Sequence, residues 1–242
     1  MSHSVARLRE ERLARSLKPF VARGSRLARC SQCRLAPSHC LCGMRPQVTA
    51  RSRVCLLMHD IEALKPSNTG WLIADLLPDT QAFCWSRTAV DEALLALLED
   101  PTCQPYVVFP GEYAAPERVV QQVAAPPAAD APARRPLFIL LDATWTEARK
   151  MFRKSPYLER FPVLSLTPEQ QSRYRLRRST RGEHLCTAEV AALCLELAGD
   201  SRAAQTLDAY LDVFSERYLG SKRQQAANLD SEAHQRLQAF LD

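Results

Sequence analysis

At 242 residues, with 46% hydrophobic and 24% charged side chains, the chain suits one well-buried catalytic domain with small appendages, and its composition is that of a globular protein, with disorder not the default. No apolar run reaches the length of a membrane span and residues 1–20 lack the apolar core of a secretory signal, so a cytoplasmic protein without membrane association is expected. The net charge of +5 suits a polyanionic partner, and nine cysteines, an odd number, argue for metal ligation or burial over a disulfide framework.

Residues 5–18 carry Val5, Leu8, Leu13 and Leu17 among arginines and glutamates, which predicts an amphipathic helix. That helix opens a stretch dense in positive charge, from Arg7 to Arg53, and a second basic run follows at 173–181 (RYRLRRSTR). Each reads either as RNA-binding surface or as a solvated helix face. Residues 24–46 hold four cysteines and prolines at 37 and 46 without periodicity, so something other than a core is expected to order them.

From residue 53 the texture becomes α/β. RVCLLMH predicts a buried strand, KPSNTG a loop and WLIADLL a helix; TQAFCW and YVVFP follow as strands, with DEALLALLED as a helix between them. The Ala/Pro-rich run at 124–136 predicts a surface linker. LFILLDATW then reads as a strand passing into polar and aromatic residues, TEARKMFRKS as a helix and PVLSL as another strand. TAEVAALCLELAGD and SRAAQTLDAYLDVFSERYLGSK are helical. Strands alternating with helices imply a mainly parallel sheet covered on both faces.

Several groupings carry chemistry. Cys30-x-x-Cys33 and Cys40-x-Cys42 place two close thiol pairs in a segment with little else to stabilise it, the pattern of a structural zinc site. Four free or redox-active thiols are the alternative, and His39 is a substitute ligand for one of them. The other five cysteines, Cys55, Cys84, Cys103, Cys186 and Cys194, sit in apolar runs and read as core.

Asp142 ends the strand LFILL and is followed by Thr144 and Trp145, so a carboxylate and an aromatic face meet at a strand's carboxyl edge, where open α/β sheets bind ligands. The alternative makes Asp142 the N-cap of the next helix. KPSNTG is either an anion-binding helix start or a capped turn. Ser155-Pro156-Tyr157 and Tyr174-Arg175-Leu176-Arg177-Arg178 interleave aromatics with arginines, which suits phosphates and unpaired bases. His184, Thr187 and Glu189 follow, the last two at a helix start. No Rossmann glycine fingerprint, P-loop, nucleophile elbow or HExxH is present.

In this order the cysteine array, KPSNTG, Asp142-x-Thr144-Trp145, ARKMFRKSPYL, YRLR and TAEV resemble the DTW-domain family over about residues 5–220. The resemblance implies a SPOUT-like knotted α/β fold and, in the bacterial members most similar to this chain, transfer of the aminocarboxypropyl group of S-adenosylmethionine to a variable-loop uridine of tRNA. An RNA methyltransferase on the same fold is the alternative, and a zinc-containing RNA-binding module without activity is a third reading.

The same resemblance assigns zinc to Cys30, Cys33, Cys40 and Cys42, and the catalytic signature to Asp142, Thr144 and Trp145. It surrounds S-adenosylmethionine with Phe109, Pro110, Gly111, Leu140, Asp142, Leu176 and Thr187. The implied organisation is a basic N-terminal helix (1–23), a zinc knuckle (24–46), a catalytic domain (47–220) and a C-terminal tail (221–242). Asp142 is then the base or the orienting acceptor for the uridine N3 proton.

Overall fold

The computed structural model describes residues 2–18, 20–21, 27–124, 134–166 and 185–241. Its centre is a six-stranded sheet of β1 (Arg53–Met58), β2 (Gln81–Cys84), β3 (Cys103–Val108), β4 (Val119–Val120), β5 (Arg135–Asp142) and β6 (Val163–Leu164), in the spatial order β2-β1-β5-β3-β6-β4. Every pairing is parallel. The carboxyl ends of β1 and β5 are therefore level: Met58 lies opposite Asp142.

The apolar runs are continuous because both faces of the sheet are covered. Val54, Leu56, Phe138 and Leu140 point into one core, while Cys55, Leu57, Leu137 and Ile139 point into the other. This is the strand period of two, hidden in the sequence because neither face meets water. Helices α2 (Gly70–Leu76), α5 (Thr187–Leu197) and α6 (Ser201–Lys222) pack on the first face, and α3 (Glu92–Leu98) and α4 (Trp145–Arg153) on the second. Among the described residues no helix is long and apolar enough to cross a membrane.

The N-terminal helix, α1 (Ser4–Ala14), is shorter than its expected stripe. Val5 and Leu8 are buried, but Leu13 is at the surface and Leu17, beyond the helix, is fully exposed. Part of its polar face holds the helix in place: the Ser4 hydroxyl donates to the Thr80 carbonyl, and Arg12 forms a forked pair with Asp60 at 2.6 and 2.8 Å. Beneath it, buried Asp75 of α2 accepts from the Tyr210 hydroxyl of α6 at 3.0 Å and faces Arg45 at 3.0 Å and His3 at 3.5 Å. Burial raises the Asp75 carboxyl to about 6 against the pull of Arg45 and Tyr210, and it lowers His3 to about 4 with help from Arg45 and Arg7.

Two expectations change, and the C-terminal tail gains an element that the sequence reading did not name. The cysteine-rich segment was expected to have no core of its own to rest on, yet Leu35 and Leu41 are almost fully buried in the main core beside Cys33. The C-terminal tail contains α7 (Glu232–Gln238), started by the Ser231 hydroxyl and packed through fully buried Leu237, while Arg217 Nε donates to His234 Nε2 at 2.8 Å. The linker at 124–136 ends earlier than its composition indicates, since Arg135 and Pro136 already belong to β5; residues 125–133 lie outside the described residues.

Candidate functional site

Asp142 is 1% exposed at the carboxyl end of β5. The Thr187 hydroxyl, first residue of α5, donates to its Oδ1 at 2.7 Å, and Asn68 Nδ2 donates to its Oδ2 at 2.7 Å. Asn68 is oriented in turn, because its Oδ1 accepts from the Trp71 amide at 3.0 Å. Two loops distant in sequence are thus joined through one carboxylate. Gly70 is required by the same packing: a Cβ there would lie 2.5 Å from Asp142 Oδ2.

Behind Asn68 lies a second buried carboxylate, Glu62, which is 0% exposed and paired with Lys65. Within KPSNTG, Asn68 both caps the Trp71 amide and reaches the Asp142 carboxylate at the strand edge. Ala188 N donates to Thr69 Oγ1 at 3.3 Å, fastening the turn to the start of α5.

Asp142 is not a helix cap. Thr144 is the N-cap of α4 and forms a capping box with Glu147: its hydroxyl donates to Glu147 Oε2 at 2.6 Å and accepts from the Glu147 amide at 3.4 Å. Trp145, half-buried, stacks on Phe109 with centroids 5.5 Å apart and meets Tyr113 edge-on at 5.9 Å; Phe152 stacks on Phe109 at 4.5 Å. Phe109 is buried just past β3, and the Gly111 amide donates to Ser165 Oγ at 3.0 Å. Pro110 and Gly111 are half-buried, while the Leu140 side chain lies in the core, leaving only its backbone near the edge.

Sequence reasoning missed His59 and Glu147. His59 directly follows β1, its amide donates to the Asp142 carbonyl at 3.0 Å, and its ring stacks on Trp85 at 6.2 Å and 22°. Its Nδ1 lies 3.4 Å from Glu147 Oε1. Burial opposes ionisation of Glu147, but hydrogen bonds from Thr144, with His59 and Lys65 nearby, hold its carboxyl below the usual range. The available signals were a histidine at the end of an apolar strand and a glutamate three residues after Thr144.

Cys30, Cys33, Cys40 and Cys42 converge, with all four Sγ atoms within 4.8 Å of one another. The Cys30–Cys42 and Cys33–Cys40 separations are 3.6 and 3.7 Å. Tetrahedral zinc with Zn–S bonds of about 2.3 Å needs sulfurs roughly 3.8 Å apart, so the array fits zinc. Arg34 closes the turn after Cys33 with a φ of 66°, and its guanidinium donates to the Leu64 carbonyl at 3.0 Å while lying 5.1 Å over the Trp71 ring. His39 does not take the place of a thiol: Nδ1 meets Ser38 Oγ at 2.9 Å and Nε2 meets the Gln225 carbonyl at 3.0 Å, while the four cysteine sulfurs gather without it.

Leu176, Tyr174, Arg175, Arg177, Arg178 and His184 lie outside the described residues. Of the other expected site residues, the structure gathers Asp142 with Thr187 through a hydrogen bond and Trp145 with Phe109 through stacking, while Thr144 sits exposed between the two groups.

No solved structure matches the chain. Residues 27–219 match the family model of the DTW domain, a span that starts just before the first cysteine, runs through the Asp142-Thr144-Trp145 signature and ends within α6. The chain belongs to the DTW-domain family.

Proposed function

We propose that this protein is a tRNA-modifying enzyme that transfers the aminocarboxypropyl group of S-adenosylmethionine to N3 of a variable-loop uridine, releasing methylthioadenosine. The observation that carries the reading is a DTW-domain match over residues 27–219 whose signature aspartate is clamped at the carboxyl edge of a parallel sheet. The finer fold assignment, a knotted SPOUT-like domain, belongs to the same proposal, as does a cytoplasmic location.

In this reading S-adenosylmethionine lies against Phe109, Pro110, Gly111, the Leu140 backbone, Asp142, Leu176 and Thr187. Trp145, held by Phe109 and Tyr113, supplies a rigid aromatic wall. The sulfonium already activates the γ-carbon, so most of the remaining task is alignment, exclusion of water and removal of the N3 proton. Zinc held by the four cysteines has a structural role, because a four-thiolate site has no open position for substrate.

Purified protein incubated with unmodified tRNA and S-adenosylmethionine is expected to release methylthioadenosine in step with modified uridine, both read by mass spectrometry. Release of S-adenosylhomocysteine would instead identify a methyltransferase.

RNA affinity should fall steeply with salt. Charge reversal at Arg175, Arg177 and Arg178 should weaken it more than reversal at Arg7, Arg9 and Arg15, since they adjoin Tyr174 and Thr187 in sequence. Arg12 is unsuitable for this comparison because its reversal would break the pair with Asp60. Equal losses measured by filter binding would mean a diffuse electrostatic footprint.

A further inference from the structure

We infer that His59 is the group that takes the uridine N3 proton, oriented by Glu147, and that Asp142 is a positioning residue held by Asn68 and Thr187. The assignment rests on the transfer reaction proposed above.

The carboxyl edge offers few proton acceptors among the described residues. Asp142 is 1% exposed, and each of its oxygens already accepts a hydrogen bond at 2.7 Å. Glu62 is fully buried and paired with Lys65. Glu147 commits Oε2 to the capping box. His59 is different: its side chain is 24% exposed, and its backbone is bonded to Asp142, which puts it beside the signature residue.

The ring is also prepared for the role. Trp85 covers one face and is itself pinned by a hydrogen bond from Nε1 to Ser155 Oγ at 2.9 Å. Nδ1 is buried and lies 3.4 Å from Glu147 Oε1, while the side chain as a whole keeps 24% of its surface exposed. Among the described residues Nδ1 makes no hydrogen bond, and its 3.4 Å separation from the Glu147 carboxylate is a charge contact; a hydrogen on Nδ1, beside that carboxylate, leaves Nε2 as the acceptor. The other charges facing His59 are Asp60 on its own segment, paired with Arg12 of α1, and Lys65 beyond the following turn, near Glu147.

In the step itself, the N3–H electron pair forms the bond to the γ-carbon while the proton moves to His59 Nε2. The carbon–sulfur bond breaks with its pair returning to sulfur, which leaves as neutral methylthioadenosine. The imidazolium then gives its proton to water. No oxidant or further reactant is needed.

Full-length wild-type protein, His59→Ala, His59→Gln and Glu147→Gln are compared with unmodified tRNA and S-adenosylmethionine. Methylthioadenosine is followed, and kcat is measured against pH. Both His59 variants should lose about 10²–10⁴-fold in kcat with KM for either substrate little changed. The acid limb of the kcat profile should disappear, and added imidazole should restore part of the rate to His59→Ala but not to His59→Gln.

Glu147→Gln keeps the capping box, so its expected effect is a smaller loss of kcat, which added imidazole should not restore because the His59 ring is still present. Wild-type kcat and an unaltered acid limb in His59→Gln would overturn the assignment. Release of S-adenosylhomocysteine by the wild-type protein would remove the reaction it rests on, a result visible before any variant is compared.

Discussion

Asp142→Ala is expected to lower the proposed aminocarboxypropyl transfer by about 10²-fold or more, because the loops carrying Asn68 and Thr187 lose their common anchor and small misplacements at a reacting centre have effects of that size. The structure adds a second consequence that the sequence did not indicate. Buried Asn68 Nδ2 would keep only its longer bond to Glu62 at 3.4 Å and half-buried Thr187 would lose its acceptor, together costing about 1–3 kcal/mol. For a chain of this length every lost kcal/mol lowers the thermal midpoint by about 2–4 °C, so the variant should melt measurably earlier. Asn68→Ala should reproduce part of both effects. An unchanged rate of methylthioadenosine release in Asp142→Ala would contradict any role for this carboxylate in the reaction.

The largest effect on stability is expected from the metal site. Purified protein should contain one zinc per chain by metal analysis, and Cys30→Ser or Cys42→Ser should abolish stoichiometric binding. Structural zinc is worth about 10–16 kcal/mol in small modules, more than most domains hold in net stability. Here the loss spreads, since Leu35 and Leu41 belong to the main core and Arg34 reaches the Ala63 and Leu64 carbonyls next to Glu62. Chelation should therefore lower both the melting temperature and the transfer rate. A metal-free protein that melts at the same temperature as the zinc-loaded one would contradict this reading.

Much of the scaffold was legible in the sequence for identifiable reasons. RVCLLM and LFILL are strands buried on both sides, so their apolar runs stand out, and two thiol pairs within thirteen residues announce a ligand set before any fold is known. The two-residue strand β4 escaped notice because it has no period to read, and α7 offers only a short apolar stripe.

The site was legible only in its local part. Asp142 could be placed at a strand end, but not its partners: Asn68 lies 74 positions away and Thr187 lies 45. Such pairings are decided by strand order, which local propensity does not encode. The N-cap of α4 falls on Thr144 because its extended backbone and the glutamate three residues on complete the box, leaving the aspartate free to face inward. His59 and Glu147 meet only because β1 and β5 are neighbours in register.

The position of β5 also governs how the chain is assembled. It lies between β1 and β3, although it follows β4 in the chain, and among the described residues β3 pairs with β5 and β6. During synthesis β1 can join β2 early, but the apolar edge of β3 waits unpaired until residues 135–142 have emerged. Sheet formation is thus a late, long-range event, the kind that makes folding slow and leaves the nascent chain dependent on protection from aggregation.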